Sequence, residues 1–409
     1  MADGQPPIRA ADVQGVKYFE LLLPLLRRLH EVGVERDKAG SRKLHFDEYC
    51  VFVLLSLFNP VLRSVRALQQ ASTLKKVQQK LGCPRFSLGS FSEAVDVFDP
   101  QRLEAIIGEL LAELPTPDSG VGENYVRQRL TAVDGSVVKT LASLAEAAYL
   151  KDKNGASQSG WRFHTQFEID RHVPTRIDVT TALNGGKTDE KSVLRRNLEE
   201  DRCYVMDRWY GEFALFNEIV AKSSSYVCRI RDNSNLSQVV EQREVSTAAK
   251  QASVLQDIVV ELGVHSKATA RPDHPVRVIL VQTTPHKKTG GRKGGTAGPP
   301  SDGILRIATN LLDVPAEIIA EIFRQRWMIE IFFRFFKHLL GCRRLLSQDI
   351  KGLQIQAYCA IIACLLINLW TGKRPTQRTY EMLVLYWMGW ADDEELAAHL
   401  EKLKSREKT

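Results

Sequence analysis

The seven cysteines of this 409-residue chain are scattered and never spaced C-x2-C, so neither a zinc knuckle nor a disulfide framework is readable in them. Cys50, Cys83, Cys203, Cys228, Cys342, Cys359 and Cys364 mostly lie in apolar runs, where a thiol behaves as a small hydrophobe; a reducing cytosol fits them, and the expected location is cytoplasmic. Long hydrophobic runs are also missing. The longest, Ala357 to Trp370, is too short for a membrane span and reads as a buried helix. The opening MADGQPPIRAADVQG has no apolar h-region, so no secretory signal is expected. No two of the nine histidines stand at i, i+4 as metal ligands would, and no internal repeat is visible. A disordered composition is absent too: 44% hydrophobic and 26% charged residues are ordinary for a folded protein.

What is present is a chain longer than one core usually serves, so two or three domains are expected. Lysine and arginine exceed aspartate and glutamate by 56 to 49, a net +7 that suits a polyanionic partner without demanding one. Residues 1–120 read as a helical N-terminal domain. Tyr18 to Val32 and Phe46 to Leu57 carry apolar residues at helical spacing, and Asn59-Pro60 breaks the second run. Val61 to Leu81 is more polar and basic, with Arg63, Arg66, Lys75, Lys76 and Lys80, and could bind DNA.

From about residue 125 the pattern changes to mixed α/β. Leu130 to Val133 is an apolar run that ends at Asp134. Trp161 to Asp170 alternates without a fault and reads as a half-buried strand, with Arg162, His164, Gln166 and Glu168 on its solvated face. Arg176 to Thr181 returns as its hairpin partner, and a helix follows from about Asp189 to Glu199. Cys203 to Met206 is a second apolar strand and ends at Asp207. A helix over Gly211 to Lys222 and a strand over Tyr226 to Ile230 complete the unit. Residues 232–303 read as a β-rich insertion with a glycine-rich basic loop, His286 to Gly295. Ile304 to Thr309 resumes as a strand, and from Ala316 the chain is helical. The expected division is 125–231 with 304–345 as a core, and 346–409 as C-terminal helices.

Asp134 and Asp207 each close an apolar strand, where ligands of α/β sheets gather. Side by side they repel unless a cation joins them, and their hard oxygens suit magnesium or manganese. In E-I-F-R-Q-R-W-M-I-E-I-F-F-R-F-F-K, Phe323, Arg326, Glu330 and Lys337 stand at helical offsets 0, 3, 7 and 14, an arc of roughly 60° at ~100° per residue. Arg334 lies close to that stripe. Ile322, Met328, Ile329, Ile331, Phe332, Phe335 and Phe336 surround it, so the helix reads as buried nearly all round, and buried charge asks for a reason. One reason is an internal ion pair, Arg326 to Glu330 and Glu330 to Arg334 at i, i+4. The other is a metal-binding carboxylate flanked by cations that grip phosphate.

F-x2-R-x3-E-x6-K resembles the Y-x2-R-x3-E-x6-K signature of the DDE transposases of bacterial insertion sequences, the IS-four type. Asp134 in VDGS and Asp207 in MDRWY stand where that family has its two aspartates. The N-terminal LFNPVLRSVRALQQAS and the β-rich insertion are similar to its corresponding parts, so the resemblance covers nearly the whole chain. It implies an RNase-H-like core in which Asp134, Asp207 and Glu330 hold two Mg²⁺, with Mn²⁺ able to substitute. It further implies that Arg326 and Lys337 contact phosphates of double-stranded DNA, transposon ends and target, and that a homodimer joins two ends. One departure stands out: Phe323 replaces the motif's tyrosine.

Lys287, Lys288, Arg292 and Lys293 of the basic loop are candidates to grip phosphates without reading sequence. Gly185-Gly186-Lys187-Thr188 resembles a phosphate-binding loop, but the pattern needs glycine where Thr181 stands. His164, on the polar side of its strand, is expected to be solvated. The alternatives to a transposase are an RNase-H-like nuclease without joining activity and a DNA-binding derivative that has lost the chemistry.

Overall fold

Among the described residues, ten strands join in one mixed sheet. Arg129–Thr140 (β1), Ala148–Lys151 (β2), Ser157–Glu168 (β3) and Val173–Thr181 (β4) are antiparallel neighbours, with β3 between β1 and the β2 and β4 pair. Arg202–Met206 (β5) lies parallel to β1, and Ser225–Arg229 (β6) lies parallel to β5. Every residue of β5 is buried, as an interior parallel strand covered on both faces requires. Val239–Arg243 (β7), Val254–Val260 (β8), Val276–Gln282 (β9) and Ile304–Thr309 (β10) extend the same sheet beyond β6 in the order β6-β10-β9-β8-β7. The segment 232–303 thus adds strands to the sheet edge. The computed structural model describes residues 17–32, 43–59, 61–115, 125–140, 148–151, 157–182, 186–264, 270–283, 302–339, 345–347, 349–372 and 376–406.

Alternation along the strands divides the core in two. Ala132, Phe163, Phe167, Cys203 and Val205 face one large cluster. It is closed by Phe332 and Phe336 of Trp327–Leu339 (α11), whose rings meet Phe167 and Phe163 at 5.4 and 5.8 Å. Val133, Tyr204 and Met206 face the other cluster, under Glu190–Arg196 (α7) and Phe213–Ala221 (α8). Among the described residues, the N-terminal helices that follow Lys17–Arg27 (α1) are Phe46–Phe58 (α2), Val65–Ser72 (α3), Lys75–Leu81 (α4), Leu88–Val97 (α5) and Arg102–Glu113 (α6). Several of these pack on Ile350–Thr371 (α12), which also lies against β4. This helix is long and apolar enough to cross a membrane, yet is buried in the fold as expected from its sequence. Asp349 caps its start by accepting from the Lys351 and Gly352 amides, and Gly372 ends it in the left-handed region at φ 64°.

Three local expectations are corrected. Asp134 does not end its strand. β1 continues to Thr140 because the long β3 keeps pairing with it, while β5 stops pairing at Ala132. β3 is not half-buried: Arg162, His164, Gln166 and Glu168 are all below a tenth exposed, because α7 and its flanking loop cover that face. His164 is therefore not solvated. Its ring bonds Thr180 Oγ1 at 2.8 Å, and burial, with Arg162 and Arg196 nearby, holds its pKa down at about 3. The helix around Glu330 is interrupted at Arg326, between Ala316–Gln325 (α10) and α11. Nor is it buried all round, since Trp327 and Ile331 are 51% and 37% exposed.

Candidate active site

Two strands set the site before any side chain is considered. Arg129 pairs with Arg202 and Ala132 with Val205, so the same parallel register carried two residues further sets Asp134 level with Asp207. Neighbouring strands lie about 4.8 Å apart, which brings the two carboxylates within strong electrostatic reach. The effect is visible on Asp134: burial and then the Asp207 charge push its carboxyl up to about 7, against the Gly135 amide and Arg326. The amide of Gly135 bonds its Oδ1 at 2.8 Å. Asp207, just past the end of β5, accepts from the Trp209 amide at 2.8 Å. Beside it opens a pocket of about 770 Å³ lined by Arg208, Trp209, Arg231, Asp232, Asn233 and Asp302.

Glu330 reaches this place through Arg326. The guanidinium donates to Glu330 Oε1 at 2.7 Å and stands 3.9 Å from Asp134 Oδ2. The i, i+4 ion pair read from the sequence is therefore present, and it is tied to Asp134 as well. Glu330 keeps 31% of its side chain exposed, which a purely structural buried pair would not need. Arg334 is exposed and lies 5.8 Å from the Trp327 ring. Lys337 is half-buried further along α11. Lys287, Lys288, Arg292 and Lys293 lie outside the described residues.

One acid escaped the sequence reading. Glu190, the first residue of α7, forms an ion pair with Arg162 at 2.8 Å and is hydrogen-bonded by Tyr210. Burial raises its pKa, and the Asp207 charge adds to that. Tyr210 is itself buried, and its hydroxyl is held well above its usual range by burial and then by Glu190, Asp134 and Asp207. In the sequence, Glu190 is indistinguishable from any acid in a first helical turn, where the dipole favours it.

The donor set is all oxygen and crowded with like charge, which fits a hard divalent cation. As the side chains stand, no three of the His, Cys, Asp and Glu residues among those described are grouped tightly enough to grip one ion. The positive charge between Asp134 and Glu330 is supplied by Arg326.

Residues 126–366 match the family described as the transposase DDE domain. The chain is 25% identical over 219 residues to a putative transposase, y4zB, of Sinorhizobium fredii, covering 53% of this chain and 55% of that one. It is 26% identical over 229 residues to a probable transposase for insertion sequence element IS5377 of Geobacillus stearothermophilus, covering 54% and 52%. It spans about half the length of these relatives. A cryo-EM structure of a piggyBac transposase synaptic complex with hairpin DNA aligns over 98% of this chain and 84% of that one, with a TM-score of 0.42 and 10% identity, too slight a likeness to fix the fold.

Proposed function

The chain belongs to the transposase DDE-domain family, and from that premise we propose that it is a DNA transposase whose metal-binding acids are Asp134, Asp207 and Glu330. The observation that carries the reading is the β1–β5 register, which sets the two aspartates level while α11 brings Glu330 to Asp134 through Arg326. Three antiparallel strands followed by two parallel ones, in the spatial order β4-β3-β1-β5-β6, support an RNase-H-like core.

Asp134, Asp207 and Glu330 would hold Mg²⁺, or Mn²⁺ in its place. Two such ions, when bound, would activate the attacking oxygen and stabilise the leaving one in an in-line displacement at phosphorus. The protein's own part is positional. The register fixes the spacing of the aspartates, and the packing of Phe332 and Phe336 fixes the height of Glu330 above the sheet. Arg326 offsets the charge of Asp134 and Glu330, and its guanidinium would suit a phosphate of the DNA. Lys337 and Arg334, further along the same helix, contact the DNA backbone, and the basic loop of Lys287, Lys288, Arg292 and Lys293 adds contacts indifferent to sequence. The helical segment 1–120 binds the transposon end, and two copies bring two ends together.

The test is a strand-cleavage and end-joining assay with Mg²⁺ on the element's own terminal DNA. Both activities are expected, and both are expected to vanish in Glu330→Gln. Cleavage without joining would leave a nuclease, and metal-independent cleavage would end the proposal.

A further inference from the structure

The turn that follows β5 carries an acid and an indole side by side. The Trp209 amide donates to Asp207 Oδ1 at 2.8 Å, and the Tyr210 amide donates to the Asp207 carbonyl at 3.2 Å, so the ring is fixed close to the carboxylate. Tyr210 goes inward and is 3% exposed, whereas Trp209 stays 46% exposed. The Lys191 ammonium stands 5.4 Å from the Trp209 ring and is itself held by Glu212 at 2.9 Å. Trp209 also lines the pocket of about 770 Å³ beside Asp207, to which Lys191 does not contribute. The ring thus touches a fixed cation and open space at once.

The rest of the wall is polar in a particular way. Arg208, Arg231 and Asn233 are exposed, and their side chains form no hydrogen bond or ion pair among the described residues. The wall's acids besides Asp207 are already neutralised: Asp232 by Arg229 at 3.1 Å and Asp302 by Arg306 at 2.8 Å. A flat aromatic surface, two uncommitted guanidinium groups and an uncommitted amide suit the face of a nucleobase, a phosphate and a base edge in turn. The volume lies within the roughly 300–1,000 Å³ of clefts that hold a small ligand, so a nucleotide fits and a stacked duplex does not.

We propose that this pocket receives one unpaired nucleotide of the DNA strand beside the phosphate under attack, with its base stacked on Trp209 and its phosphate met by Arg208 or Arg231. The subsite rests on the transposase reading above. Trp209 is a positioning residue there: it holds a base, and through the turn that base stands at a fixed height beside Asp207.

The test is the affinity of the full chain for its terminal DNA, measured by fluorescence anisotropy in metal-free buffer, where the strands stay whole. Each position flanking the cleavage point is made abasic in turn, in duplexes that lack the opposing nucleotide, so that unpairing costs nothing. In the wild type, removing the base at one position is expected to weaken binding by about tenfold. Trp209→Ala should lose a similar factor on intact DNA and nothing further when that base is removed. Trp209→Phe, which keeps a flat ring, should retain most of both the affinity and the sensitivity. If base removal weakens Trp209→Ala as much as the wild type at every position, no base lies on the indole and the inference falls. Mg²⁺-dependent cleavage by the wild type would then leave the transposase reading standing. If the wild type neither binds nor cleaves this DNA, that reading falls and takes the pocket with it. Should Trp209→Ala melt early, Trp209→Leu carries the same measurement, since it keeps bulk without a stacking face. Equal sensitivity in Trp209→Leu and Trp209→Phe overturns the proposal.

Discussion

Asp257 and Arg277, on β8 and β9, are each 4% exposed and meet through two hydrogen bonds of 2.8 and 2.7 Å. Asp134, level with Asp207 on β1 and β5, has Arg326 at 3.9 Å, and its carboxyl is pushed up to about 7. Both regions bury charge within one sheet. In the first, every charge has an opposite within bonding distance, and the guanidinium's remaining donors end on carbonyls. In the second, carboxylates outnumber the cations that reach them, and the excess is what a metal would neutralise. A balanced buried pair holds strands together, whereas an unbalanced one stores affinity for something else.

The comparison breaks most readily through the acids. Asp134→Asn, Asp207→Asn and Glu330→Gln are each expected to lower single-turnover cleavage by on the order of 10⁴-fold, more than about 5 kcal/mol of barrier. Combining them should cost little more, because the acids act as one unit. Melting should fall by only a few degrees in each. A destabilised but active Glu330→Gln would make its pairing with Arg326 structural, like that of Asp257 with Arg277. Asp257→Asn should do the reverse. Leaving Arg277 buried without its counter-charge costs about 3–5 kcal/mol. Urea unfolding measures that loss, and an unchanged midpoint would remove the contrast.

His164 tests the structural side through pH. Folded, it titrates at about 3 and is neutral, whereas unfolded it binds a proton near its ordinary 6.5. The unfolded chain thus holds more protons below 6.5. The contribution of His164 is complete above that value and is lost as pH falls toward 3, by up to about 1.4 kcal/mol per unit. Denaturation midpoints between pH 7 and 5 should fall more steeply in the wild type than in His164→Gln. Parallel slopes would place the ring in water after all. The smallest effect is expected at Lys337. Lys337→Ala should leave Mn²⁺ affinity as it was and reduce the salt dependence of DNA binding by about one unit of slope. A loss of metal affinity as deep as that of Asp134→Asn would move Lys337 into the metal site.

Much of the strand order was legible because its signals are local. An apolar run ending in Asp207, the return of Arg176 to Thr181 as a hairpin partner, and the Phe323-Arg326-Glu330-Lys337 spacing can be seen without knowing what lies nearby. The errors came where the answer depends on a neighbour. The alternation of Trp161 to Asp170 does suggest one wet face, but α7 covers that face and turns Arg162, His164 and Gln166 into buried polar residues. Ile331 and Trp327 belong to an apolar-looking helix but lie on the side of α11 that meets no sheet.

The sequence by itself determined most of the segments that become strands and helices, since these follow from the period of the apolar residues, but not where β1 ends, because Asp134 lies inside it. Only the tertiary structure decided that Asp134 and Asp207 stand level, because register is a relation between strands 73 residues apart in the chain and no local pattern encodes it. It also decided that the Glu190 carboxylate stands against Gly135 and pairs with Arg162. That depends on a helix crossing the opposite face and on a missing Cβ at Gly135, two facts that meet only once the chain has folded.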